Sequence, residues 1–437
     1  MVAMVVLAGP AAAQRAGIYE GVASCAGSTC HGRAEGNGAV VRQDELAKWQ
    51  EPSSPTGAHS RALAVLASPR GQRIAETLGL GPASAAPACL GCHSTDAPAA
   101  RRGARYVESD GIGCESCHGP ASGWIASHTT VRGSHAANVA AGMTALDRPA
   151  VRAVVCLDCH LSGSGPGQFV THRMMAAGHP RVSFELDLFS ALQQHWDEDA
   201  DYAARKGRTD SVQLWAVGQA EAVRRSLALF AQPAYASQGL FPEFTFFDCH
   251  SCHRGIDDNP DRRRTFEVNP GRPIPFGTPP YNDESIIMLS AVARVLAPAE
   301  AERFDAAARG FHAAMGQGRA QTVAAGARLS AAAAALSARM SATHYPAETA
   351  FTVIAAISGR AIAPRFTDYE GSVQAVMAVD TLLNTLVREK RVTVGAAAGI
   401  RADVNRAYAA VRSPTSYSPA DFRAALGEAA RSVEALR

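Results

Sequence analysis

Lysine is nearly absent from this 437-residue chain: of 42 basic side chains only Lys48, Lys206 and Lys390 are lysines, and the other 39 are arginines. No charge of one sign predominates, since 40 acidic side chains offset the basic ones. Without a polycationic surface the chain has no footprint for nucleic acid. Beyond a short apolar start, no run of apolar residues is long enough to span a bilayer. Cysteine stops at Cys252, and none of the ten is left over once they are taken in pairs. Arginine suits forked pairing with carboxylates, although high-GC codon usage explains the same enrichment.

Every cysteine pair ends in Cys-His. Cys89, Cys92 and His93 read CLGCH; Cys114, Cys117 and His118 read CESCH; Cys156, Cys159 and His160 read CLDCH; Cys249, Cys252 and His253 read CHSCH. The remaining pair, Cys25 and Cys30 before His31, has four intervening residues instead of two. A zinc ribbon explains paired Cys-x-x-Cys but requires no histidine after each second cysteine. A disulfide framework explains the histidines even less well. The spacing is the attachment signature of c-type haem: two thiols add to the vinyl groups and the adjoining imidazole is held under the iron. The chain is therefore expected to carry five haems c, with iron bound by His31, His93, His118, His160 and His253. A Cys-x-x-Cys-Lys motif, the usual mark of the catalytic haem in pentahaem nitrite reductases, does not occur.

The expected fold class is mainly α, in four parts. Residues 1–13 resemble the end of a secretory signal, with cleavage near Gln14 but without a positively charged start. Residues 14–256 hold all five motifs and form a cytochrome c domain with little regular structure around stacked haems. Short helices are expected at 59–66 and 74–78, and a longer one at 211–231, where Val212, Trp215, Val223, Leu227 and Phe230 follow helical spacing and Pro233 ends it. Residues 257–281, rich in proline, read as an extended linker. Residues 282–437 turn alanine-rich and predict a bundle of six or seven helices. Val376, Val379, Leu383 and Leu386 form one of its stripes, and Phe422, Leu426, Ala429, Val433 and Leu436 another. Ser418, Pro419 and Asp421 mark a helix start. With haem attachment completed outside the bacterial inner membrane, the expected location is the periplasm.

Whether each iron has a second ligand separates a wire from a catalyst, because only an open face binds substrate. The best distal candidates are His59, His128, His135, His172 and His179. His59 opens a helix after a Pro/Gly loop. His128 and His135 are seven residues apart, as are His172 and His179, which is about two helical turns and would put each pair on one face. His195, beside Trp196, is the replacement candidate. His250 cannot reach its own iron but could reach a neighbour's. His312 and His344 read as ordinary core or surface residues.

Trp49 and His59, then CLGCH, DGIGCESCHGPASGWIASH, CLDCH, MMAAGHPR and FDCHSCH together resemble the multihaem cytochromes related to the tetrahaem electron acceptor of hydroxylamine oxidoreductase, over residues 20–255. The resemblance implies periplasmic electron transfer through closely packed haems, with His128 and His179 as distal ligands. This chain departs from the tetrahaem pattern by its fifth, longer-spaced motif.

Three functions follow. The first is an electron carrier between a redox protein donor and an acceptor, with no catalytic residues of its own. The second is an oxidoreductase acting on a small nitrogen or sulfur compound at one open haem, with His195 and the acidic Asp197, Glu198 and Asp199 nearby. The third is a subunit of a haem filament, a homo-oligomer or a membrane redox complex, with the helical region as the assembly surface.

Overall fold

Alanine-rich sequence with apolar residues at three- and four-residue spacing makes helix the favoured state, and the computed structural model is mainly α. It describes residues 17–36, 42–130, 133–163, 165, 167–181, 183–235, 243–253, 267–275 and 277–437, with only the backbone of Arg205. The expected signal segment and Pro260 lie outside these residues. Among the described residues there is no β-strand, only isolated bridges at Tyr19–Arg102 and Phe247–Tyr281, and no helix is long and apolar enough to cross a membrane.

The chain divides into two units. The first takes in the described residues up to Ala75, then Leu80–Asp147 and His195–Asp197; the second takes in Glu76–Gly79, Arg148–Gln194 and Glu198–Arg437. The division thus falls near residue 147 and not at the proline-rich stretch. The described part of that stretch does not hang free: Asn269 donates to Arg365 O at 2.8 Å, and buried Arg272 pairs with Asp368 at 2.8 Å and Asp283 at 3.3 Å.

The first unit is built from short pieces. Where a helix is expected at 59–66, three 3₁₀ turns occur, Pro55–Gly57, His59–Arg61 and Ala64–Ala67, followed by the α-helix Pro69–Leu78. Proline and glycine in this segment favour such tight single turns over a continuous helix. Its apolar cluster is small: Leu66, Ala75, Ala83, Ala86 and Cys89.

The second unit has a continuous apolar core. The Ser211–Phe230 helix is buried along most of its length, with Trp215, Ala216, Val217 and Ala220 at 0% exposure. It packs against Arg319–Ser341 and Glu284–Leu296, so the core that follows the composition shift reaches back to residue 211. From residue 284 to 434 there are eight α-helices. Two breaks beyond those marked by proline or Gly-rich sequence account for the additional helices: Lys390 adopts φ +58° and Thr393 caps the next helix by accepting from Ala396 N, and Ile400 then separates Val394–Gly399 from Arg401–Ala410. The stripes at Val376–Leu386 and Phe422–Val433 are buried as their spacing predicts, and Ser418 accepts from Asp421 N.

Candidate haem centres

The three motifs of the first unit are tied together by backbone and carboxylate hydrogen bonds. Glu115, inside CESCH, is 5% exposed and accepts from Glu20 N and Gly21 N at 2.8 Å and from Ala121 N at 2.7 Å. One side chain of the third motif therefore fixes both the chain entering the first motif and the loop leaving its own. Gly21 is required at φ +83°, where a Cβ would lie 2.1 Å from Arg105 O. Thr95, just after the second motif, accepts from Gly113 N at 3.0 Å and donates to Gly111 O at 3.1 Å, which ties the second motif to the third. Buried Trp49 donates to Ile112 O at 3.1 Å in the same loop. The longer spacer of the first motif closes as a turn, with His31 N donating to Cys25 O at 3.1 Å.

In the second unit the Pro149–Leu157 helix runs into a π-helical turn, Asp158–Ser162, that carries Cys159 and His160. Ala153 and Leu157, both at 0% exposure, anchor it against Leu186 and Leu214. The fifth motif is a turn held by Asp248, which accepts from His250 N at 3.2 Å and Ser251 N at 2.9 Å. Asp248 N in turn donates to Pro280 O at 2.9 Å, beside the start of the Glu284–Leu296 helix.

Three motif histidines face a histidine from elsewhere in the same unit. The ring centroids of His31 and His128 are 6.3 Å apart with planes 6° from parallel; those of His118 and His195 are 6.3 Å apart at 89°; those of His253 and His172 are 6.1 Å apart at 32°. A metal lies about 2 Å from a ligating imidazole nitrogen and the ring centroid about 1 Å further, so trans ligands place their centroids about 6 Å apart. The three separations meet that requirement. His160 and His179 line one cavity together with Cys159, Met175, Phe169 and Arg181.

Several ring nitrogens have fixed backbone partners. His93 Nδ1 donates to Ala62 O at 2.8 Å, His128 Nδ1 to Ile125 O at 2.6 Å, and His179 Nδ1 to Pro180 O at 2.9 Å. With the hydrogen on Nδ1, Nε2 carries the lone pair that a metal needs. His31 Nδ1 bonds instead to Glu45 Oε2 at 3.0 Å, which holds its pKa above the ordinary histidine value. None of the ten cysteines is paired in a disulfide, which leaves the sulfurs to thioether attachment. The donor set fits covalently held haem.

The expected helical pairing of histidines does not form. His128 sits in the 3₁₀ turn Ser127–Thr129, while His135 begins a separate helix capped by Ser134. His135 is 53% exposed in its side chain and its Nε2 meets Asp147 at 3.0 Å. Likewise the His172–Ala176 helix stops before Gly178, whose φ of +109° turns the chain ahead of His179. His59 lies in its 3₁₀ turn with its carbonyl accepting from Ile112 N at 3.0 Å, next to the third motif. His195 is brought into the first unit because its neighbour Asp197 pairs with Arg42 at 3.1 Å and Lys48 at 3.5 Å. His250 is buried edge-on to the Tyr417 ring at 5.1 Å. His312 is a core residue at 1% exposure, its pKa pushed down to about 3 by burial, and His344 is exposed beside Asp210. Glu115 and Glu45 are the residues that sequence reasoning missed; Glu115 was visible as a charged residue inside a haem motif, whereas nothing in the sequence marks Glu45.

Residues 24–119, which include the first three motifs, match the family model of cytochrome c554 and c-prime. No curated protein and no solved structure matches the chain. Together with the motifs, the family match supports a multihaem c-type cytochrome, with covalently bound haem c, iron and haem-based electron transfer.

Proposed function

We propose that this chain is a periplasmic electron carrier with five haems c, each iron held between two histidines. The observation that carries the proposal is the set of three facing histidine pairs, each joining a motif histidine to a distal one at about the separation of trans ligands. On this reading the pairs are His31 with His128, His118 with His195 and His253 with His172. His160 and His179, which line one cavity, form the fourth pair. His59 serves the remaining iron with His93, whose Nδ1 meets Ala62 at the end of the His59–Arg61 turn. His195 thus takes the place first given to His135.

Bound haem supplies a one-electron iron couple. The chain's own contribution is to hold two imidazoles for each iron in fixed orientation and so deny a substrate the open face that catalysis requires. Bonds from Nδ1 to carbonyls and to Glu45 fix the rings. Redox partners dock from outside, as a protein donor and a protein acceptor; membership of a larger membrane complex or filament is a variant of the same role.

Electron paramagnetic resonance of the oxidised holoprotein, with haem counted per chain, tests the reading. Five low-spin ferric haems are expected, His195→Ala is expected to turn one of them high-spin, and His135→Ala none. A wild-type high-spin haem that shifts on adding nitrite or hydroxylamine would replace the carrier with an oxidoreductase.

A further inference from the structure

Of the four histidine anchors described above, one differs in charge. The acceptors at His93, His128 and His179 are neutral peptide carbonyls, whereas His31 Nδ1 faces a carboxylate oxygen of Glu45 at 3.0 Å. Glu45 is the first residue of the Glu45–Gln50 helix, and its side chain is 14% exposed. Its other oxygen accepts from Gln43 N at 3.3 Å, where the backbone turns through φ +68°. The carboxylate is therefore aimed at the imidazole by local structure. The nearby ammonium of Lys48 is directed elsewhere, 3.6 Å from Asp44 and 3.5 Å from Asp197. On its other side the His31 ring lies parallel to His128.

We propose that Glu45 is a positioning residue that makes the haem at Cys25, Cys30 and His31 a low-potential member of the set. The inference rests on the reading above, in which His31 ligates iron. A carboxylate that accepts the Nδ1 hydrogen draws it away from the ring, so the imidazole becomes a stronger donor through Nε2. A stronger axial donor stabilises ferric over ferrous iron, and the full negative charge nearby acts in the same direction. A peptide carbonyl does less of both. The first haem then holds its electron less tightly than it would with a neutral anchor and passes it on more readily.

The test is a redox titration of holoprotein carrying Glu45→Gln, followed optically and by electron paramagnetic resonance. Glutamine keeps the length and an accepting oxygen but removes the charge. One haem is expected to shift to higher potential, with at least a tenfold change in its oxidised-to-reduced ratio at a fixed poise, about 59 mV for one electron. The g values of a single low-spin component should change with it, and Glu45→Asp, which keeps the charge, should return the potential toward wild type. Unchanged potentials in a Glu45→Gln protein with five low-spin haems overturn the inference and leave the carrier reading standing. An equal shift of every haem also overturns it, because that is the mark of a general structural change. A wild-type protein that lacks a low-spin haem at the first motif overturns both.

Discussion

The two units solve the problem of a core differently. The first carries three haem motifs, and among its described residues the apolar cluster has five buried members, Cys89 and the nearby Ala86 among them. Its motifs are joined by Glu115, Thr95 and Trp49 through hydrogen bonds to backbone. The second carries two motifs on the edge of a core that runs from Val212 to Val433 and is filled by leucine, valine, alanine and phenylalanine. Little apolar side-chain burial in the first unit means that, on the proposed reading, porphyrin supplies what aliphatic residues supply in the second. Stability in the first is thus linked to cofactor binding, and in the second to packing.

The largest expected effect separates the units outright. Chain produced without haem attachment should lose the described structure of the first unit while the helices from Ser211 onward persist. Limited proteolysis with mass mapping, alongside far-ultraviolet circular dichroism, reads both halves; equal digestion of both would break the comparison. A smaller effect is confined to the second unit: Leu382→Ala, at a position with 0% exposure, should cost about 2–5 kcal/mol. Its melting, followed by helix signal, should drop while the spectra of the first three haems hold to higher temperature.

Glu115→Ala tests the first unit in the complementary way. Two buried backbone N–H groups and a half-buried one lose their carboxylate, and each unsatisfied donor costs about 1–3 kcal/mol, reduced wherever water enters. Hydrogen exchange should accelerate at residues 20, 21 and 121 and leave the Arg319–Ser341 helix unchanged.

The subtlest effect is a pH slope in the second unit. Burial pushes Glu185 up to about 8, with Asp187 adding to it; burial pushes Asp283 up to about 6; and burial, with Asp248 and Asp283, pushes Asp368 up to about 8 against the pull of Arg272. Unfolded carboxyls titrate near 4, so the folded unit binds more protons than the unfolded one between these values. The contribution is fully present below about pH 4 and is lost as pH rises through 6 to 8. Thermal melts of the second unit should therefore fall across that window, and Glu185→Gln should flatten the decline.

How far sequence reasoning reached follows from the range of each interaction. Haem attachment is written in contiguous residues, so the Cys-His motifs were legible, as were the Ser418 cap and the apolar stripes, which are local periodicities. The Ser211–Phe230 helix was legible as a helix, but its place in the C-terminal core was not, because that depends on contacts with residues more than a hundred positions away. Distal histidines are the harder case. A seven-residue spacing suggests one helical face only if the helix continues, and the breaks at Ser134 and Gly178 end it. His195 and His118 lie 77 positions apart and meet through the ion pairs of Asp197 with Arg42 and Lys48. The cofactor chemistry was thus determined by the sequence alone, since covalent attachment needs only neighbours along the chain. Which histidine faces which, and which one meets a carboxylate, was decided by the tertiary structure, since a ligand pair is closed by folding across long stretches of chain.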